Sequence, residues 1–130
     1  MYTILSHIKD ALSGIAGINT CRIGLENGIS PDDYPLIRIQ PTVSQHGAAL
    51  PRKKVSVDIY FGLNMAESDE EGLEGIYAAM DPIQAAIVTA LESSQLFTAV
   101  WEDTIYDMDR FDPDLKQYYK LAMSRFTVVA

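Results

Sequence analysis

Residue types that carry chemistry are scarce in this chain. Among 130 residues there is one cysteine, Cys21, and there are two histidines, His7 and His46. A single cysteine excludes an internal disulfide and suits a reducing compartment. Neither histidine has a cysteine nearby in the sequence, so a zinc ion finds no ligand set. No P-loop, G-x-G-x-x-G or G-x-S-x-G occurs, and with them go the common phosphate-cradling and nucleophile-elbow chemistries. Long apolar runs are missing too: nothing approaches the roughly 18 residues that suggest a membrane span. The opening MYTILSHIKDALSG lacks a basic region followed by a long apolar stretch, so no signal peptide is expected. Basic residues are few, ten against eighteen acidic ones, for a net charge of −8. Because affinity for a phosphate backbone comes largely from Lys and Arg replacing counterions, general nucleic-acid binding is not expected.

What the chain has is an ordinary globular composition, 48% apolar and 22% charged, in a length that suits one domain. Such a domain loses roughly two thirds of its surface on folding. With no repeat, low-complexity tract or linker, residues 1–130 are expected to form a single cytosolic domain.

The clearest local signal is RKKVSVDIYFGLN, Arg52 to Asn64. Val55, Val57, Ile59, Phe61 and Leu63 alternate with Lys54, Ser56, Asp58, Tyr60 and Gly62, the period of a strand with one apolar face. Ile4, Leu5, Ile8, Leu12 and Ile15 recur at helical spacing and predict a first helix from Tyr2 to about Gly14, stopped by Gly14 and Gly17. Thr20 to Leu25 reads as a short strand, and Glu26 to Pro35 as a loop rich in turn formers. Leu36 to Gln40 reads as a strand closed by Pro41. Thr42 to Pro51 lacks periodicity, and its length predicts a flexible connection that orders on assembly.

Ser68 and Glu71 make a capping box, with acidic residues in the first turns where the helix dipole favours them. Leu73, Ile76, Tyr77, Met80, Ile83, Ile87 and Leu91 then share a helix face. Pro82 removes a hydrogen bond and predicts either a kink or two abutting helices near Asp81. Leu96 to Tyr106 and Leu115 to Val129 read as two further strands, and the apolar end of the last one hints at burial on both faces. The expected fold is α+β: a single, mainly antiparallel sheet with two helices packed on it, in the order α-β-β-β-α-β-β. Val55, Val57, Ile59, Phe61 and Leu63 are expected to face Ile76, Met80, Ile83 and Ile87.

Three groupings could carry chemistry. Asp107, Asp109, Asp112 and Asp114 are hard oxygen donors, but their spacing fails the calcium-loop pattern, and Asp112-Pro113-Asp114 has turn composition. A solvated hairpin connection is the expectation, with no metal. Cys21 falls where a buried strand residue is expected, so a small core thiol outweighs a Cys–His nucleophile pair. Tyr118 and Tyr119 are consecutive on a strand and must point to opposite faces. One of them is then a candidate contact residue on the open face. No catalytic residue, cofactor or metal is expected.

In order and spacing, RKKVSVDIYFGLN leading into ESDEEGLEGIYAAMDPIQAAIV, then LFTAVWEDTIYDMD and YYKLAMSRFTVVA, resembles the tail terminator (tail completion) proteins of long-tailed bacteriophages. The helix MYTILSHIKDALSGI and the strand YPLIRIQP fit the same pattern, so the likeness covers essentially the whole chain. It is a likeness of pattern, with no short specific motif and no catalytic residue to transfer. It implies a phage or prophage structural protein that assembles in the cytoplasm as a homo-oligomer, a hexameric ring. The ring caps the tail tube, ends its growth and presents a surface to the head–tail connector proteins. The expected partners are thus further copies of the chain, the tail tube protein and the connector proteins. A ring joined head to tail needs two unlike patches on each subunit. Arg52, Lys53 and Lys54 form the only basic run, and acidic stretches lie at Glu67 to Glu74 and at Asp103 to Asp114, including Asp107 and Asp109. These segments are candidate subunit contacts, although solvated element ends have the same composition. Another phage neck or connector protein shares this reading. A small enzyme or ligand-binding domain is the competing class, which a pocket with converging polar groups would favour.

Overall fold

The computed structural model describes residues 2–24, 35–46, 53–64, 72–112 and 117–130, with the backbone alone at 45–46, 64, 72–74, 76, 107–112 and 117–120. The elements run α1 (Tyr2–Leu12), β1 (Thr20–Ile23), β2 (Leu36–His46), β3 (Lys53–Asn64), α2 (Gly72–Glu92), β4 (Thr98–Asp112) and β5 (Gln117–Val129). The strands form one five-stranded sheet in the order β1-β2-β3-β5-β4. Only the β1–β2 pair is parallel. This is the α+β arrangement that the alternation patterns predict.

The register explains the core. Val55, Val57, Ile59 and Phe61 stand opposite Val128, Phe126, Ser124 and Ala122 of β5, while Ile59 and Phe61 also meet Ile39 and Ile37 of β2. Paired residues share a face, so three strands present one apolar surface. Ile4, Leu5, Ile8 and Leu12 of α1 and Met80, Ile87 and Leu91 of α2 close over it. Leu63 and Ile83 pack at its margin. The side chain of Ile76 lies outside the described residues. Burying a Leu, Ile or Phe side chain contributes roughly 1.5–3 kcal/mol, so this shared face, more than helix propensity, holds α1 and α2 in place.

Several boundaries differ from the sequence expectations. Helix α1 ends at Leu12, with the Ser13 hydroxyl donating to the Lys9 carbonyl at 2.6 Å. Gly17 then takes φ +83° in the turn toward β1, a conformation that any side chain would strain. Helix α2 runs through Pro82 as one element of 21 residues, so the two-helix alternative falls. Proline removes the bond to the carbonyl four residues back, and Ala78 lies on the exposed side, where water can accept that loss. The capping box at Ser68 and Glu71 lies outside the described residues.

Strand β2 does not stop at Pro41; it continues to His46, pairing Ser44 with Val55 and His46 with Lys53. Thr42 to His46 is therefore strand, not loose connection, and the remainder of the expected loop, 47–51, lies outside the described residues. Proline is tolerated because β1 reaches only as far as Ile39, so that among the described residues the other side of Pro41 has no strand partner. A bulge follows at once, between Pro41 and Val43. At the far end, β4 continues through Asp112, pairing Asp109 with Lys120 and Asp112 with Gln117. The acidic stretch from Asp107 to Asp112 is thus the end of a long hairpin strand rather than a connection.

The inner face of β5 is covered as expected. On its outer face Met123 is buried, but Arg125 is exposed and Thr127 and Val129 are only half-buried. Burial on both faces therefore holds in the middle of the strand and fails toward its end.

Candidate interaction surface

Strand β4 is terminal in the sheet, pairs only with β5 among the described residues, and is 15 residues long. It begins in the core: Phe97 and Ala99 are buried. The pattern then breaks, because Trp101 pairs with Phe126 and Asp103 with Arg125, leaving Glu102 as an inserted residue. Such a bulge sharpens the local twist and re-aims neighbouring side chains. A second irregularity lies between Ile105 and Met108.

The first bulge fixes Trp101. Its indole N–H donates to the Asp103 carbonyl at 3.0 Å and to Thr104 Oγ1 at 3.1 Å. Thr104 Oγ1 in turn shares a 2.8 Å hydrogen bond with Ser124 Oγ. Ser124 is fully buried in the middle of the apolar face, and this relay satisfies its hydroxyl. A large aromatic ring is thereby held in one orientation at the rim of the sheet, 42% exposed. Leu96, Val100 and Ile105 stand close by in sequence at 64%, 53% and 37% exposure. On the inner side, Tyr106 meets Tyr77 of α2 edge to face, with ring centroids 6.0 Å apart, and burial raises the Tyr106 hydroxyl above its ordinary pKa.

On the outer face the same strand is acidic. Asp103 pairs with Arg125 at 3.7 Å, and Glu102 accepts a hydrogen bond from the Thr127 hydroxyl at 3.0 Å. Asp58 stands opposite Arg125 on the other side of β5. Its carboxyl is held above the ordinary range, chiefly by burial, with Arg125 opposing and Asp103 reinforcing the shift. Burial likewise raises Tyr60, with Asp58 adding to it. Asp103 and Asp58 thus flank the Arg125 guanidinium, beside a cleft of about 380 Å³ bordered by Thr42, Val43, Asp58, Glu102 and Arg125. Of its polar groups, Glu102 and Thr127 are hydrogen-bonded to each other and Arg125 is paired with Asp103 outside the cleft. Among the described residues no group of three or more His, Cys, Asp and Glu is placed to hold a metal ion.

The residues singled out from sequence fall in different places. Lys53 and Lys54 are exposed at the start of β3, where the Lys53 amide donates to the Ala130 carbonyl at 2.8 Å. Arg52 lies outside the described residues. Asp109 pairs through its backbone with Lys120, and Asp107 falls within the second bulge of β4. Tyr118 pairs with Phe111, and Tyr119 with Arg110 and Asn64. The side chains of these four residues are not described. Lys54 meets Val129 and Asp109 meets Lys120, so the basic and acidic segments occupy opposite ends of β5, roughly 30 Å apart at about 3.3 Å per residue. Cys21 is half-buried against the core, and burial pushes its thiol up, opposed by a hydrogen-bonding contact with Ser13 and the charges of Lys9 and Arg38. That environment suits a packing thiol better than a nucleophile.

Sequence reasoning did not single out Trp101 or Ile105 as surface residues: on strict alternation Trp101 shares a side with Phe97 and Ala99, both of which are buried. The only available signal was Glu102-Asp103, two charges in succession inside an apolar strand. No helix among the described residues is long and apolar enough to cross a membrane. No protein-family model and no curated protein matches the chain.

Proposed function

We propose that this chain is a ring-forming tail terminator subunit of a long-tailed phage or prophage. Six copies cap the tail tube, stop its growth and present the head-joining surface. The subunit assembles in the cytoplasm, ends in the virion tail and has no catalytic step of its own. The observation that carries this reading is the rim of β4: a long terminal strand with a positioned tryptophan and two other exposed apolar side chains, Val100 and Ile105, with exposed Leu96 just ahead of it. Proteins blunt such edges with short strands, charges, proline or bulges, and β4 has bulges and Glu102-Asp103, yet it keeps Val100, Trp101 and Ile105 exposed beside them. Tryptophan in a fixed orientation is the residue type most concentrated at interface hot spots. The helix-covered face supplies stability, which leaves the outer face and the rim for partners. The oppositely charged strand ends, Lys53–Lys54 and the stretch around Asp107 and Asp109, supply unlike patches that set register more than affinity.

Light scattering on the purified chain, alone and with polymerising tail tube protein, tests the reading. The expected species is six copies of the 14.4 kDa chain, about 86 kDa, and tubes that stop growing when it is added. A chain that binds the head–tail connector but leaves tube length unchanged is a different neck component. A monomer that affects neither removes the proposal.

A further inference from the structure

The outer face of β2 and β3 sets an unmet acceptor beside a carboxyl. Gln40 and Asp58 are register partners, so their side chains stand next to each other on that face. Directly opposed residues have Cβ atoms about 4.5–5.5 Å apart, within hydrogen-bonding reach for a glutamine and an aspartate. Gln40 Oε1 is buried and has no hydrogen-bond partner among the described residues. An unpaired buried acceptor is costly, and only a donor can satisfy it. The neighbouring donors are engaged elsewhere: the Thr42 hydroxyl donates to the Ser56 carbonyl at 3.2 Å, and Arg125 is paired with Asp103 at 3.7 Å. An ionised Asp58 could only accept, whereas its protonated form carries an O–H. Its surroundings favour the proton. Asp58 is half-buried at the border of the outer cleft, and that burial holds its carboxyl above the ordinary range. Asp103 on β4 adds to the shift and Arg125 on β5 opposes it. The other ionisable groups on this face are Tyr60, two residues along β3, its register partner Arg38 on β2, and Glu102 at the cleft.

We infer that Asp58, carrying its proton, donates to Gln40 Oε1, and that this pair is a pH-sensitive clasp between β2 and β3. The clasp sits where the ladder most needs support. Pro41, the next residue, has no backbone N–H to give, and the bulge between Pro41 and Val43 interrupts the pairing at once. When the proton leaves, two acceptors face each other, and the Val43–His46 extension of β2 loses a tie at its root. The inference concerns the subunit itself and stands apart from the ring reading.

Urea denaturation of the full-length chain, at one fixed concentration, tests it. Circular dichroism establishes that each variant is folded; if Gln40→Ala is not, Gln40→Met, which keeps the length and lacks the amide, replaces it. The loss of unfolding equilibrium constant caused by Gln40→Ala should be about two- to tenfold larger at about pH 3, where Asp58 is protonated, than at about pH 7. Asp58→Asn keeps an N–H donor at every pH, so in that background the loss should be the same at both. A loss that is equal at both pH values with Asp58 in place means that Gln40 only packs, and overturns the clasp. A larger loss at neutral pH overturns it too, because the glutamine N–H would then be donating to the ionised carboxylate. A pH dependence that survives Asp58→Asn belongs to another group and equally removes the inference.

Discussion

Strands β3 and β4 lie on either side of β5, are similar in length, and behave differently. In β3 every second residue from Val55 to Phe61 is fully buried, and the register with both neighbours is unbroken from Val57 to Phe61. In β4 the alternation fails twice in ten residues, and side chains on both faces reach solvent. The cause is position. A strand paired on both sides and covered by helices cannot slip by one residue without turning its whole apolar set outward. A terminal strand has one partner, so a bulge disturbs only one ladder. The interior strand therefore specifies the fold, and the terminal one is free to expose side chains on both faces.

The contrast can be tested by substitution. Ile59→Ala opens a cavity where three strands and the helix layer meet, and should lower unfolding free energy by roughly 2–5 kcal/mol in urea denaturation. A loss under about 1 kcal/mol would mean that β3 is not the organising strand. Ser124→Ala cuts the relay behind Trp101. It should cost about 1 kcal/mol, with a change in tryptophan fluorescence as the indole loses its fixed support. Unchanged emission would place the control of Trp101 elsewhere on β4.

Asp58 gives a pH test. Because burial raises its folded-state pKa, the folded protein holds this proton to higher pH than the unfolded chain does. Its contribution therefore makes stability fall as pH rises from the ordinary carboxylate range through the raised value. Asp58→Asn should be more stable than the parent at neutral pH, with the difference gone near about pH 3, where both carboxyl states are protonated. A variant less stable than the parent at neutral pH would show that the attraction of Arg125 outweighs burial. The smallest effect is expected from Lys53→Glu with Lys54→Glu at the exposed start of β3. Folding stability should stay within about 0.5 kcal/mol of the parent, while the salt dependence of assembly changes. A large loss of stability there would mean that the two lysines hold the fold rather than a partner.

Alternation and helical spacing were sufficient for the α+β class, the element order and the inner face of β3, because periods of 2.0 and 3.6 residues report directly on which side of an element is buried. The same logic missed wherever a strand's fate depended on its partner. Thr42 to His46 has no periodic pattern of its own and is strand because β3 pairs with it. Asp107 to Asp112 reads as part of a solvated hairpin connection and is strand because β5 runs alongside. Trp101 has the parity of a core residue and reaches solvent because Glu102 is inserted at the rim of the sheet.

The sequence by itself determined the class of fold, the face that is buried, the shortage of catalytic groups and the acidic balance, since each of these is local or compositional. Strand order, and with it everything at the rim, was decided only by the tertiary structure. Which strands are terminal depends on pairings between distant segments, and no local propensity encodes them. Placing β5 between β3 and β4 leaves β4 at one margin and β1 at the other. That single topological fact puts Trp101, Glu102 and Asp103 on one terminal strand of the sheet and Arg22 on the other.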